Sequence, residues 1–451
     1  MNEKRSNDQF SGSFGMLAAA IGSAVGLGNL WRFPYLVGQQ GGAAFIIVYL
    51  AISLIISTPI LLAEMVIGRR GGGSPQQAYV KVGGSRAWGA AGVLGMLTCF
   101  AIISFYVVVG GWTIRYMFHS LMLEFDTGEV LDSVGVFTGF IGSDISPIFY
   151  ALIFIGLTIA IINLGVQKGI EASSKLMMPL LFVLIVLIGI RSVTLPGAGE
   201  GLKYLFKPDF SHFGFDSLLA AMGQSFFSLS LGACMMVTYG AYTPRRCNLI
   251  KNSAIITLSD TFFAILAGCA IMPAVFAFGI NPGEGPGLVF VTLPQIFTQM
   301  PMGGICSILF FVTLFLAALS SAVSLFEVVV STLMGMGRGM PRKKASTIAA
   351  VALVISGSLC SLSQGALKGI TICGRNIFDL MDYVSANYMM TIGALLAVVC
   401  IGYRIKKEAF LDEVTNGGAI KVSRGFALCL FYLIKYVAPP VIAAIAISII
   451  F

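Results

Sequence analysis

The sequence predicts an all-α, polytopic membrane protein with eleven transmembrane helices, and three observations carry that prediction. Of 451 residues, 57% are hydrophobic and 11% charged, whereas a soluble domain carries about a quarter charged residues. An apolar window long enough for a bilayer core, about 20 residues, finds eleven placements. The Lys and Arg residues gather between alternate placements, as membrane topology demands. A soluble enzyme, a nucleic-acid binder and a disordered chain are all excluded by so apolar a composition.

Taken in order, the first span, 14–35, follows a polar stretch of mixed charge, 1–8. It is too long and too rich in glycine for a cleaved signal, so it is expected to stay in the mature protein. Span two, 43–67, stops at Arg69 and Arg70, and span three, 88–118, leads into loop 124–144, which holds acids but no Lys or Arg. Spans four and five, 148–164 and 173–190, flank Lys168 and Lys175. Span six, 218–239, ends before Arg245, Arg246 and Lys251; span seven covers 254–278. Span eight, 302–334, precedes Arg338, Arg342, Lys343 and Lys344, and span nine covers 346–362. Span ten, 377–401, precedes Arg404, Lys406, Lys407, Lys421 and Arg424, and span eleven runs over 426–451.

With the N-terminus cytoplasmic, these residues together with Lys4, Arg5, Lys81 and Arg86 place twenty of the 28 basic side chains inside. The net charge of +8 therefore reads as topology in a cell's inner (cytoplasmic) membrane rather than as a nucleic-acid partner. Nine cysteines lie singly in apolar segments, and only His119 and His212 accompany them, so neither a disulfide framework nor a zinc site is expected.

Two spans contain sequence that a lipid-facing helix would avoid. The first reads GSAVGLGN over 22–29, and the sixth reads QSFFSLSLG over 224–232. Gly and Ser lower the cost of unwinding, but unpaired backbone groups in hydrocarbon cost several kcal/mol each unless protein, ion or substrate satisfies them. A polar ligand at mid-depth would do so; close packing of helices through small residues is the other reading. Because the two segments open the first and sixth spans, the chain divides into two five-span halves, about 12–193 and 216–402, with a further helix at about 426–451. An odd number of spans per half inverts the second relative to the first, a recurrent transporter plan. The whole, 1–451, is expected to be one transmembrane domain.

The run GSAVGLGNLWRFP over 22–34, with Gly41 and Gly42 behind it, resembles the first-helix signature of the neurotransmitter:sodium symporters, the LeuT-like family. The resemblance continues through Tyr106 and Trp112, the segment GQSFFSLSLG over 223–232, and Leu319-Ser320-Ser321. It implies the LeuT-type fold, with spans one and six broken, and two bound sodium ions without an organic cofactor. One sodium would take carbonyls of Gly22, Val25 and Ala317 and hydroxyls of Ser320 and Ser321. The other would use Ala24, Asn29, Ser228 and Ser259, completed by the substrate's own carboxylate. These are oxygen ligands, as a hard cation requires.

The same resemblance places that carboxylate on the amides of Leu27 and Gly28, at a helix start that favours anions, with Tyr106 adding a hydroxyl. The amino group would meet carbonyls of Ala24, Phe227, Ser228 and Ser230, with Phe227 as a lid. Gly26 stands where monoamine-carrying relatives have Asp, which implies an amino acid as substrate. The side-chain wall would comprise Ile102, Tyr106, Phe227, Ala233, Ser321 and Leu325; Ala233 replaces a phenylalanine of some relatives, so large hydrophobic or aromatic substrates are expected.

Ionisable residues inside a membrane call for functional readings. Arg32 and Asp382 are expected to form an outer gate. Asp260, where Phe263 occupies the position of an acid or serine in relatives, is expected to supply the negative charge that makes chloride unnecessary, beside Tyr49, Gln224 and Ser228. Glu64 and Glu327 read as buried structural partners. The family's inner-gate Arg and Trp align with Asn7 and Phe10, and its acidic partner with Gly335, so a different inner closure, using Tyr242, is expected. Gly169 and Pro179 either let span five unwind or mark a helix start.

The expected activity is sodium-coupled amino-acid import by alternating access, in the lipid bilayer, with no oligomeric state assigned. No nucleotide loop, catalytic carboxylate pair or nucleophile with a histidine partner is present, so no enzyme is expected. A sodium-independent or proton-coupled exchanger and a membrane amino-acid sensor are the alternatives.

Overall fold

The computed structural model describes residues 9–125, 132–211, 213–280, 288–336 and 339–448. Lys4, Arg5, Asn7, His212, Arg338, residues 126–131 of the acidic loop and the last three residues of the eleventh predicted span lie outside them. Regular structure among the described residues is helical, apart from one isolated bridge between Ile372 and Arg375.

The chain opens with α1 (Ser13–Ala24), α2 (Gly28–Gln39), α3 (Ala43–Gly71), α4 (Pro75–Gly83) and α5 (Arg86–Leu121). It continues with α6 (Ser133–Ile141), α7 (Ser146–Asn163), α8 (Val166–Val193) and α9 (Ala198–Phe206). The second half holds α10 (Phe215–Ser228), α11 (Met235–Tyr242), α12 (Leu249–Ala277), α13 (Leu293–Gln299) and α14 (Gly303–Met336). It ends with α15 (Arg342–Leu362), α16 (Ile377–Arg404), α17 (Lys407–Thr415) and α18 (Arg424–Ser448).

Among the described residues, nine helices are long and apolar enough to cross a membrane, and α1 with α2 forms a further span bent by 47°. The predicted sixth span is present as α10 and α11, separated by residues 229–234. The two breaks therefore fall where Gly and Ser concentrate. Proline accounts for four of the finer irregularities. Pro34, Pro59, Pro294 and Pro439 each follow a π-helical segment, Gly28–Arg32, Ser53–Ser57, Leu288–Thr292 and Leu433–Val437. Lacking an N–H, proline cannot continue the i−4 ladder, and the preceding turn widens instead.

Burial sorts the helices into centre and rim. The most apolar stretches of α5 and α14 are 67% and 72% buried, against 33% for α7 and α18, so the first pair forms the middle of the molecule. The second half of the broken sixth span packs on α3 backbone to backbone. A Cβ on Gly68 would strike the Val237 carbonyl, and one on Gly240 the Met65 carbonyl, 2.5 Å away. Such contacts, open only to small residues, fix α11 against α3. In α8, Gly169 sits in a π-helical first segment, Val166–Glu171, three residues after the helix begins, and the helix runs on wound through Pro179.

Candidate functional site

Both breaks converge on one small cavity. After α1 the Val25 amide still bonds Ile21, at 2.7 Å, but the Gly26 amide turns to the Asn29 side-chain oxygen at 3.0 Å and the Leu27 amide to the Tyr106 hydroxyl at 3.3 Å. Side chains have thus replaced the helix ladder, as orphaned amides require. In the other break Ser230, Gly232 and Cys234 all have positive φ, at 51°, 84° and 59°. The Gly232 amide donates to the Glu64 carboxylate at 2.6 Å. A Cβ at Gly232 would overlap the Met390 carbonyl of α16, while one on Gly393 would overlap the Gly232 carbonyl. Only glycine satisfies both this conformation and this approach.

The cavity measures about 40 Å³ and is lined by eleven of the twelve residues assigned to the substrate: Ala24, Gly26, Leu27, Gly28, Ile102, Tyr106, Phe227, Ser228, Ser230, Ser321 and Leu325. Ala233 departs from expectation. The positive φ at Gly232 and Cys234 turns it away, and its carbonyl accepts the Cys99 thiol, at 3.0 Å. Ser23, Met235 and Met390 complete the lining instead. At Gly26 a Cβ would collide with the Ser321 hydroxyl and come within 3.2 Å of the Tyr106 hydroxyl, so the glycine keeps open a polar corner.

Ser228, which lines the cavity, joins it to a buried polar cluster behind. Asn29 Nδ2 donates to Asp260 Oδ1 at 2.8 Å, to the Asp260 carbonyl at 3.2 Å and to the Ser228 hydroxyl at 3.2 Å. Ser228 donates to the same carboxylate at 2.8 Å, and Tyr49 at 3.3 Å. Here too the structure departs from the sequence reading. Ser259 is half-buried and makes no hydrogen bond to Asn29, Ser228 or Asp260 among the described residues, whereas Asp260 is fully buried among them. A step of one residue turns a helix by about 100°, which directs adjacent side chains to different faces. Gln224 reaches the Gly28 carbonyl, at 3.3 Å, rather than Asp260.

On the other side of α1 the Ser321 hydroxyl donates to the Ser23 carbonyl at 3.3 Å, and Ser320 to the Ala317 carbonyl at 3.0 Å. The first bond brings one α14 hydroxyl to a carbonyl at the end of α1, where Gly22 and Val25 are also buried, while the second stays within α14.

Above the cavity, away from the N-terminus, lies a second space of about 380 Å³ that shares Leu27, Gly28, Tyr106 and Phe227 with it. Arg32 and Asp382 both line this vestibule without forming an ion pair, and the Arg32 guanidinium lies 4.8 Å from the Phe227 ring centre. Below, the path is shut. Tyr242 donates its hydroxyl to Glu327 at 2.6 Å, and Arg342 grips the same carboxylate at 2.6 and 3.0 Å. Phe10 packs edge-on against Tyr239 and Tyr242, at 5.4 and 6.2 Å, and its amide bonds the Tyr242 carbonyl. Glu327 thus has a more specific place than a generic buried partner. The available signal was a lone acid in the apolar α14 run, with Arg342 fifteen residues on.

Comparison with known proteins agrees with this geometry. The family model described as the sodium:neurotransmitter symporter family matches residues 7–130 and 142–451. The sodium-dependent transporter YhdH of Bacillus subtilis is 38% identical over 98% of this chain and 97% of its own. A sodium-dependent transporter of Haemophilus influenzae is 36% identical over 95% and 94%. The crystal structure of MhsT in complex with L-phenylalanine superposes with a TM-score of 0.90 at 40% identity, covering 98% of this chain and 99% of that one. Two broken helices around a polar cavity, in a chain matched nearly end to end, make this protein a member of the sodium:neurotransmitter symporter family, a LeuT-fold sodium-dependent membrane transporter and not an enzyme.

Proposed function

We propose that the protein imports amino acids with large apolar or aromatic side chains, driven by two sodium ions and independent of chloride. The observation that carries this reading is the bare corner at Gly26. There the Leu27 amide, the Tyr106 hydroxyl and the start of α2 offer an anion site that no protein carboxylate occupies. An amino acid brings its own carboxylate. MhsT, similar in fold and sequence, was solved with L-phenylalanine, which supports the same substrate class.

One sodium would sit between the substrate carboxylate, Ala24, Asn29, Ser228 and the Asp260 carboxylate; the second between Gly22, Val25, Ala317, Ser320 and Ser321. A ligand shared by ion and substrate couples their binding. The anionic oxygens of Asp260 compensate the cation, which leaves chloride no role. Arg32, Asp382 and Phe227 would close the vestibule over bound substrate, while Phe10, Tyr242, Glu327 and Arg342 would part on the other side. With the N-terminus cytoplasmic, an inside-negative potential adds about 2.3 kcal/mol per charge per 100 mV, so two sodium ions roughly double that drive.

Competition of each common amino acid against a bound tracer, in sodium chloride, sodium gluconate and choline chloride, tests the reading. Phenylalanine, leucine and tryptophan should compete in both sodium salts. Binding indifferent to choline replacement would indicate the exchanger instead. Sodium-dependent binding without accumulation in proteoliposomes would indicate a sensor.

A further inference from the structure

The face that carries the N-terminus holds a cavity that none of the transport machinery uses. It measures about 670 Å³ and brings Arg70, Lys81, Arg245, Arg404 and Lys406 together with two acids, Asp412 and Glu413. Glu413 is already satisfied. Its carboxylate receives Arg69 Nε at 2.6 Å, and Arg70 stands 3.8 Å off. Lys81, Arg245, Arg404 and Lys406 are exposed and form no ion pair among the described residues, which leaves Asp412 alone against four cations. These cations come from α4, the loop after α11, the end of α16 and the residue before α17. The fold therefore gathers like charges from four separate elements into one concavity, where their mutual repulsion favours a bound anion.

The depth of the cavity indicates which anion. Arg404 is the last residue of a membrane-spanning helix, and its guanidinium lies 5.8 Å from the ring of Trp88, which sits in the first turn of α5. Tryptophan and arginine at helix ends mark headgroup level. Arg70 is the penultimate residue of another membrane-spanning helix, α3. We propose that this cavity binds the phosphate of an anionic phospholipid headgroup. Arg245 lies three residues past Tyr242, so a phosphate held by Arg245 and Arg404 ties the end of α11 to α16 and holds the Tyr242–Glu327 contact closed. The lipid would thereby favour the state open through the vestibule.

The test is native mass spectrometry of the full chain in detergent, incubated with equal phosphatidylglycerol and phosphatidylcholine, and separately with inorganic phosphate. Phosphatidylglycerol should be retained about tenfold over phosphatidylcholine, and Arg245→Gln with Arg404→Gln should bring the ratio near one. A control pair outside the cavity, Lys421→Gln with Arg424→Gln, should keep the preference. Sodium-dependent substrate binding in phosphatidylcholine vesicles reports folding of each variant. If the first pair misfolds, Lys81→Gln with Lys406→Gln carries the same test. Equal loss in cavity and control pairs, or a preference that survives both cavity pairs, overturns the proposal. So does retention of inorganic phosphate without any lipid preference, which assigns the site to a soluble anion.

Discussion

Asn29 and Asp260 meet at the break of the first span, 231 residues apart in sequence: the amide nitrogen of one lies 2.8 Å from a carboxylate oxygen of the other. Ser228, from the second break, donates to the same carboxylate. One buried acid thus joins both interrupted helices. Three donors, from Asn29, Ser228 and Tyr49, orient that carboxylate, so under the proposed reading a cation entering between the helices would meet a preorganised anion.

Replacing that charge should therefore weaken sodium before it weakens anything else. For Asp260→Asn, the sodium concentration giving half-maximal substrate binding is expected to rise about thirtyfold, or about 2 kcal/mol. Added chloride should recover part of the loss. Sodium titrations in chloride and in gluconate read both effects, and an unchanged midpoint would remove Asp260 from the ion site.

The triad on the N-terminal face invites a double-mutant cycle. Glu327 is fully buried and Arg342 14% exposed, so Glu327→Gln strands a cation that is mostly shielded from water. Removing one partner of such a pair costs about 3–5 kcal/mol when burial is complete, whereas removing both costs much less. Hydrogen exchange of the Phe10 to Ala24 segment should rise strongly in the single variant and less in Glu327→Gln with Arg342→Gln. Equal exchange in all three would mean that the triad does not hold this face shut.

Gly26 should tolerate no side chain. A Cβ there meets the Ser321 and Tyr106 hydroxyls, both at the bare corner. Gly26→Ala is expected to lower substrate affinity about tenfold to hundredfold, with the thermal midpoint in sodium-free buffer little changed. Gly223→Ala, where a Cβ has open space within 4 Å, serves as control and should leave affinity unchanged. Retained affinity in Gly26→Ala would show that the substrate carboxylate lies elsewhere.

How legible the site was depended on how local each signal is. The break over 22–29 announces itself in eight consecutive residues, because glycines and an amide inside an apolar run have few structural readings. The prolines behind the π-helical segments are equally local. Ser259 and Asp260 lay at the limit: membership of span seven is visible, but phase within the helix is not, and one residue of phase separates a half-buried hydroxyl from a buried carboxylate. Met390 was invisible. It reaches the cavity only because Gly393 and Gly232 let α16 cross the second break at backbone distance, a relationship between segments far apart in sequence. The pairing of Glu327 with Arg342 was hidden for a similar reason, since it depends on how α15 folds back on α14.

Met390 and Met235 in place of Ala233 also change what the side-chain wall should do. Methionine is unbranched and polarizable and reshapes itself around different partners, so a wall built from two of them adapts where one built on a branched residue would select. The cavity of about 40 Å³ is close to a tenth the volume of the vestibule of about 380 Å³ above it, so a large side chain needs its walls to give way. Phe227, half-buried between cavity and vestibule, and the two methionines are the groups free to give way. Met390→Ile stiffens the wall at nearly constant volume. It is expected to leave leucine affinity within about threefold while lowering that of tryptophan about tenfold. Competition curves for leucine, phenylalanine and tryptophan against one tracer read the ratio directly. A parallel shift of all three would place Met390 in general packing and leave substrate breadth to Phe227 alone.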